Sequence, residues 1–335
     1  MASRSHRFCV APMMDWTDRH CRVFHRALSS HARLYTEMVT ADAIIHGDRA
    51  RLIGFSAIEH PIALQLGGSD PAKLSDAAQI GAAFGYDEIN LNVGCPSDRV
   101  QEGRFGACLM AEPALVGRCV AAMMAAVRMP VTIKCRIGID DQDSEKDFQG
   151  FIDTVADAGC TTFVVHARKA LLQGLSPKEN REIPPLNYDR VYRLKVARPQ
   201  LTIVINGGVE SLDASLRHLE HVDGVMLGRA AYHDPFILAD VDRKVFGEAR
   251  PSRQRADVIS ALLPYIDAHI AQGGRLSNVT RHVLGLYHGE PGGRLFRRYL
   301  SEHATRAGAA ASVLAEARDI VEAQRARRSA LLGAA

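Results

Sequence analysis

Apolar positions along this chain fall into two regimes. Between residues 8 and 227, short β-branched or apolar runs recur at 8–11, 34–38, 62–66, 88–92, 131–135, 162–166, 202–206 and 224–227. Amphipathic stretches separate them, among them 71–84, 113–128, 147–158 and 212–219. Strands alternating with helical stretches predict βαβ units and a parallel sheet. Eight such runs predict a closed (β/α)8 TIM barrel of about 240 residues. An open doubly wound sheet competes, but that fold places its glycine-rich phosphate loop after the first strand. Here the first run ends Ala11-Pro12-Met13-Met14 without glycine, and glycines follow the third, seventh and eighth runs instead, as pairs after the third and seventh.

Beyond Val245 the β-rich runs stop. Residues 256–272, 278–287, 293–306 and 312–328 read as helices, broken by Gly273-Gly274 and by Glu290-Pro291-Gly292-Gly293. The expected organisation is a barrel over 1–242 and an all-α helical domain over 243–335, with the boundary between 242 and 251.

Charge sharpens this division. The whole chain of 335 residues carries a formal +3. Residues 243–335 hold 15 basic and 8 acidic side chains, and 14 of those 15 are arginine, whose planar fork suits phosphate. A solvated helical face is the plain alternative. No run of 18 apolar residues is present, so no membrane span is expected. The short polar stretch 1–7 predicts no secretory leader. Seven cysteines, an odd number without a Cys-x-x-Cys pair, argue against a disulfide framework or a structural zinc site and suit a reducing cytoplasm. No metal is expected.

In a barrel of this type the active site lies where strands run into βα loops. Run seven ends Asn206-Gly207-Gly208, and run eight is followed by Gly228-Arg229. Glycine lets backbone N–H groups approach an anion, and Arg229 adds a charged donor, so these loops predict phosphate binding. Tight turns are the bland alternative. Gln65 on run three, Lys134 on run five and His166 on run six are polar residues near strand ends. A lysine inside an apolar run is costly unless it meets an anion, whereas a lone histidine is ordinarily a satisfied core residue. Together the set fits a flavin mononucleotide (FMN) site. Gln65 and Lys134 would meet the isoalloxazine edge, His166 and Arg168 would line the mouth, and the backbone of Pro12, Met13 and Met14 would flank the ring. Run four ends in Asn92-Val93-Gly94-Cys95-Pro96, which places a cysteine in a rigid turn on a βα loop. There Cys95 is either a nucleophile or a general acid. Asp15 and Asp18 read as loop and helix-cap residues rather than a carboxylate pair.

Several of these segments together resemble the tRNA-dihydrouridine synthases: Ala11-Pro12-Met13-Met14-Asp15, Leu91-Asn92-Val93-Gly94-Cys95-Pro96, His166-Ala167-Arg168, Asn206-Gly207-Gly208 and Gly228-Arg229. The stretch from His166 to Pro185 resembles the bacterial A subfamily, and the likeness reaches Arg297-Arg298-Tyr299-Leu300. The resemblance implies that NADPH reduces bound FMN and that hydride passes to C6 of uracil. It also implies that Cys95 protonates C5 and Asn92 holds the uracil edge. Its implied substrates are D-loop uridines 20 and 20a of tRNA. Lys178, Arg181, Arg294 and Arg297 are its implied tRNA contacts, and a monomer suffices. Two rivals stay open: an FMN barrel dehydrogenase for a small molecule, of dihydroorotate-dehydrogenase type, and a non-catalytic RNA-binding protein. The first leaves the arginine-rich helical domain without a role; the second predicts a colourless preparation.

Overall fold

A computed structural model describes residues 4–97, 100 and 102–333. The first three residues of the polar N-terminus and the last two of the basic tail therefore lie outside it. Eight parallel strands close into a barrel in sequence order. They are β1 (Phe8–Val10), β2 (Arg33–Thr40), β3 (Ile62–Gly67), β4 (Glu88–Val93), β5 (Val131–Arg136), β6 (Thr162–His166), β7 (Thr202–Asn206) and β8 (Gly224–Leu227). Each expected run is a strand.

The barrel helices carry their signals locally. Pro71–Phe84 starts with Asp70 accepting from the N–H groups of Ala72 and Lys73, has proline in its first turn and stops at Gly85 in the left-handed region. Glu145–Asp157 starts from a capping box between Ser144 and Asp147. Leu74, Ala77, Ala78 and Gly81 form the buried stripe of the first, at the spacing a helix requires.

The barrel interior is divided. On one side Cys9, Ala11, Val164, Val204 and Met226 form an apolar cluster with Tyr35 and Ala63, and Met13 packs against it. On the other side alternate residues of β3, β4 and β5 are polar: Gln65, then Glu88, Asn90 and Asn92, then Thr132 and Lys134. Strand register aligns Gln65 with Asn90, Asn90 with Thr132 and Asn92 with Lys134. An interior carboxylate is tolerable only when its lone pairs are met. Glu88 accepts from His6 Nε2 at 2.6 Å, Tyr35 Oη at 2.9 Å and Thr132 Oγ1 at 2.5 Å. Arg33 stands 3.2 Å away, a charge contact rather than an aligned hydrogen bond. Burial opposes its ionisation, but His6, Arg33 and Thr132 win and hold Glu88 below the usual carboxylate range.

The chain divides into two compact units, Met1–Thr17 with Arg33–Gly228, and Asp18–Ala32 with Arg229–Ala335. The second unit thus differs from the expected 243–335: it begins straight after β8 and recruits an N-terminal helix, Arg19–Leu28. Asp18 is one of the ties that hold that helix there, with His20 bonded to Tyr265 and Ser29 to Asp242. It caps the helix by accepting from the N–H groups of His20 and Cys21, and it pairs with Arg281 and His282 on helix Leu276–Val283. Helix Arg255–Ala271 buries Val258, Ile259, Leu262 and Ile266. Helix Gly293–His303 buries Gly293, Phe296 and Leu300. Ser312–Gly333 contributes Leu314, Ala317 and Val321 to the core of this unit.

Candidate active site

Cysteine burial narrows the chemistry. Cys9, Cys21, Cys119, Cys135 and Cys160 are buried. Burial pushes Cys135 and Cys160 up to about 12, so they remain inert thiols. Cys108 is half-buried, directs its Sγ to the Phe105 carbonyl at 3.1 Å and is also raised by burial. Cys95 is the other half-buried thiol, and it follows the C-terminal end of β4.

The loop bearing Cys95 is held from three directions. Asn92 Oδ1 accepts from the N–H groups of Gly94 at 3.1 Å and Cys95 at 3.0 Å. Arg136, at the end of β5, donates from Nε to the Gly94 carbonyl at 2.8 Å. The Cys95 carbonyl accepts from the N–H of Ala107 at 2.9 Å. That last approach requires Gly106, whose φ is +77° and whose absent Cβ would lie 2.5 Å from the Cys95 carbonyl oxygen. The loop is thereby fixed, and the Sγ lies 3.5 Å from Ser97 Oγ.

Neighbouring strand ends supply cations and one neutral ring. The Lys134 ammonium makes no hydrogen bond or ion pair among the described residues, and burial lowers it to about 8. Arg136 is 3% exposed; burial, then Arg181 and Arg168, lowers it to about 10 despite the opposing influence of Cys95. Lys134 and Arg136 both interact electrostatically with Cys95. His166 is driven well below 6.5 by burial and then by Arg136 and Lys134, so its imidazole is neutral at pH 7.

The glycine turn after β7 lies against this histidine. Gly207 has φ +105° and Gly208 φ +65°, and a Cβ on Gly207 would lie 2.5 Å from His166 Cδ2. Tyr188 donates to the Gly207 carbonyl at 2.8 Å. The Asn206 side chain is committed elsewhere, donating to the Met226 carbonyl at 2.8 Å and tying β7 to β8. Gly228 opens towards Met13, whose sulfur would be 3.7 Å from an added Cβ. The first strand's loop continues into Met14, which is 57% exposed. Pro12, Met13, Met14, Asn92, Cys95, His166, Asn206, Gly207, Gly208 and Gly228 thus stand at, next to or just beyond the C-terminal strand ends of one unit, with Gln65 and Lys134 two residues inside theirs.

Other expected residues lie apart from that group. Lys178 and Arg181 are exposed on the long loop after β6. Arg136 organises this loop too, donating to the carbonyls of Lys169 and Asn180 at 3.0 Å each. Arg168 spans the same loop, donating to the carbonyls of Glu182 and Pro184. Arg229 begins helix Arg229–His233 in the second unit. Arg294 and Arg297 are exposed one turn apart on Gly293–His303, and neither meets an acidic side chain among the described residues. The sequence reading passes over Arg136 and Thr132; both share the parity of Lys134 along β5, which marks them as a set but not what they reach. Among the described residues, one cluster has donor spacing for a cation, His31, Asp242 and Glu248. Its Asp242 already accepts from the Ser29 hydroxyl and the N–H groups of Ser30 and His31, and its His31 pairs with Glu248.

A clamped thiol at the C-terminal mouth of a parallel barrel, with the Lys134 ammonium and a glycine-rich strand end in the same unit, is the equipment of the barrel oxidoreductase class. The solved structures agree on fold: a 2-naphthoyl-CoA reductase complex overlays with TM-score 0.56 at 10% identity, covering 70% of this chain and 49% of that one. An old yellow enzyme homologue from Zymomonas mobilis gives 0.51 at 12%, covering 74% and 90%. The family profile described as dihydrouridine synthase matches residues 9–324. A tRNA-dihydrouridine(20/20a) synthase of Xanthomonas campestris pv. campestris is 64% identical over 324 residues, 97% of this chain and 96% of that one. The protein of the same name from Escherichia coli (strain K12) is 58% identical over 322 residues, 96% and 93%. The chain belongs to the dihydrouridine synthase family. It is therefore an oxidoreductase of the class that reduces uridine to dihydrouridine. No helix among the described residues is long and apolar enough to cross a membrane.

Proposed function

We propose that this chain uses FMN, reduced by NADPH, to convert uridines 20 and 20a in the D-loop of tRNA to dihydrouridine in the cytoplasm, with Cys95 as proton donor. The observation that carries this reading is the Cys95 thiol, held on a loop clamped by Asn92, Arg136 and the N–H of Ala107.

The residues fit a flavin phosphate and ring. Gly207 and Gly208 present a turn in which side chains have no room, and their N–H groups carry no hydrogen bond to the described residues. Gly228 and Arg229 follow the next strand. Lys134 offers an unpaired ammonium, as an electron-rich ring edge requires, and Gln65 keeps one Nε2 hydrogen beyond the one it gives to Asn90. Neutral His166 donates or accepts without adding charge. The Asn206 amide acts by fixing the turn that follows it, and the Pro12-Met13-Met14 backbone flanks the ring with Met13 anchored in the apolar half. When bound, a flavin supplies the hydride delivered to uracil C6.

The protein's own task is proton delivery and positioning. Addition at C6 leaves enolate-like charge at C5, which the Cys95 Sγ–H quenches as general acid. Asn92 retains one Nδ2 hydrogen beyond those used within the barrel and directs it to the uracil edge. An extruded loop base reaches the mouth at lower cost than one in a duplex. Lys178, Arg181, Arg294 and Arg297 hold tRNA phosphates. The test is a purified preparation, which should absorb near ~450 nm as flavins do and form dihydrouridine at 20 and 20a in unmodified tRNA with NADPH. A colourless chain that binds tRNA without changing it would refute the reading.

A further inference from the structure

The polar half of the barrel forms one directed hydrogen-bond chain. Thr132 Oγ1 donates to Glu88 Oε1 at 2.5 Å. Asn90 Nδ2 donates to Thr132 Oγ1 at 2.8 Å. Gln65 Nε2 donates to Asn90 Oδ1 at 2.8 Å, and Asn92 Nδ2 donates to Gln65 Oε1 at 2.9 Å. Asn92 Oδ1 then accepts from the N–H groups of Gly94 and Cys95. Amide oxygen and nitrogen are ordinarily interchangeable in such networks. Here both ends fix the sense. An ionised carboxylate only accepts, and a backbone N–H only donates. Reversing any single amide would set two donors or two acceptors face to face in an interior where Asn90 is 0% and Gln65 1% exposed.

We propose that Asn90 and Thr132 are positioning residues that pass the acceptor polarity of Glu88 up the barrel to Gln65, Asn92 and the Cys95 loop. They touch neither cofactor nor substrate. Together with the Gly94 and Cys95 N–H groups at the other end, they fix which end of Gln65 faces the flavin edge and hold Asn92 in register with it. This inference rests on the reading above for the roles of Gln65, Asn92 and Cys95.

The test compares Thr132→Val with Thr132→Ser in the flavin-loaded enzyme. Valine keeps the shape and removes both hydrogen-bonding roles; serine restores them. Thr132→Val should bind tRNA normally but lower the single-turnover rate of dihydrouridine formation by about tenfold or more, as misplaced reacting groups do. It should also shift the flavin absorbance bands, because the Gln65 amide is released. Thr132→Ser should recover both rate and spectrum. Wild-type rate and spectrum in Thr132→Val, or a serine variant as impaired as the valine one, would overturn the proposal. Should the valine variant not fold, side-chain amide NMR of the wild-type protein decides. Contacts of the Gln65 amide protons with Asn90, and of the Asn92 amide protons with Gln65, support the stated direction; the reverse pattern refutes it. A wild-type chain without flavin or product would fault the functional reading instead, and the NMR arm reads the network either way.

Discussion

Arg136 donates from Nε to the carbonyl of Gly94 at 2.8 Å, so a buried cation on β5 grips the residue directly before the Cys95 thiol. The same guanidinium holds the carbonyls of Lys169 and Asn180, joining the thiol loop to the long loop after β6. Hydrogen bonds from charged donors each contribute about 1.5–3 kcal/mol when buried. Arg136→Gln should therefore cost stability of about that size and slow dihydrouridine formation, while Arg136→Lys should recover part of both. Chemical denaturation alongside a product assay checks this; unchanged values in Arg136→Gln would contradict it.

Gly106 allows the Cys95 carbonyl to approach. Gly106→Ala places a Cβ 2.5 Å from that oxygen and 2.3 Å from Val100 Cγ1, at a φ of +77°. Gly85→Ala provides a control, since its φ is +91° but nothing lies within 4 Å of an added Cβ. The control should lose only the left-handed penalty of about 1–2 kcal/mol and keep its activity. Gly106→Ala should lose stability and product formation together. Equal behaviour of the two variants in melting and turnover would show that the close approach does not matter.

Lys134 gives a pH signature with two opposite signs. Burial lowers its pKa to about 8, below the ordinary value of about 10.4. Between those values the unfolded chain binds the proton and the folded chain does not, so the cofactor-free protein should gain stability as pH rises through that window. Flavin affinity should instead fall above about pH 8, as the ammonium facing the ring edge is lost. Fluorescence titration of flavin into apoprotein from neutral to alkaline pH measures the second trend, and Lys134→Met should flatten both. Affinity that rises with pH would remove Lys134 from the ring edge.

Arg294 and Arg297 stand exposed one helical turn apart, as a phosphate clamp requires. Arg297→Ala should weaken tRNA binding and reduce the slope of log affinity against log salt by about one, with flavin content intact. An unaltered slope at physiological salt would place the tRNA elsewhere.

The barrel was legible because its strands are short apolar runs bounded by helices with strong end signals. Thr162–His166, Thr202–Asn206 and Gly224–Leu227 match the runs read from sequence residue for residue. The place of helix Arg19–Leu28 was not legible. Its apolar and polar positions do segregate at helical spacing, and it buries Arg22, His25 and Arg26 alongside Cys21, Val23, Phe24 and Leu28, but a local pattern does not name the unit the helix packs into. Asp18 could be read as a cap, but its pairing with Arg281 and His282, some 263 positions away, is a tertiary fact. At the mouth, Cys95 and Lys134 stood out because each is chemically unusual for its place. Glu88, Asn90 and Thr132 did not, because their meaning lies in a chain of partners across three strands. Arg136 was hidden for a similar reason: only the fold shows which carbonyls it reaches.

The central claim is that the clamped thiol delivers the proton while the hydride comes from elsewhere. The most direct measurement is a paired assay of Cys95→Ala: rapid-mixing reduction of its flavin by NADPH, and mass-spectrometric mapping of dihydrouridine at 20 and 20a after single turnover. Flavin content and reduction rate should match the wild-type chain, with product formation reduced at least about a hundredfold, the scale set by loss of a general acid. Wild-type product yield from that variant would contradict the assignment.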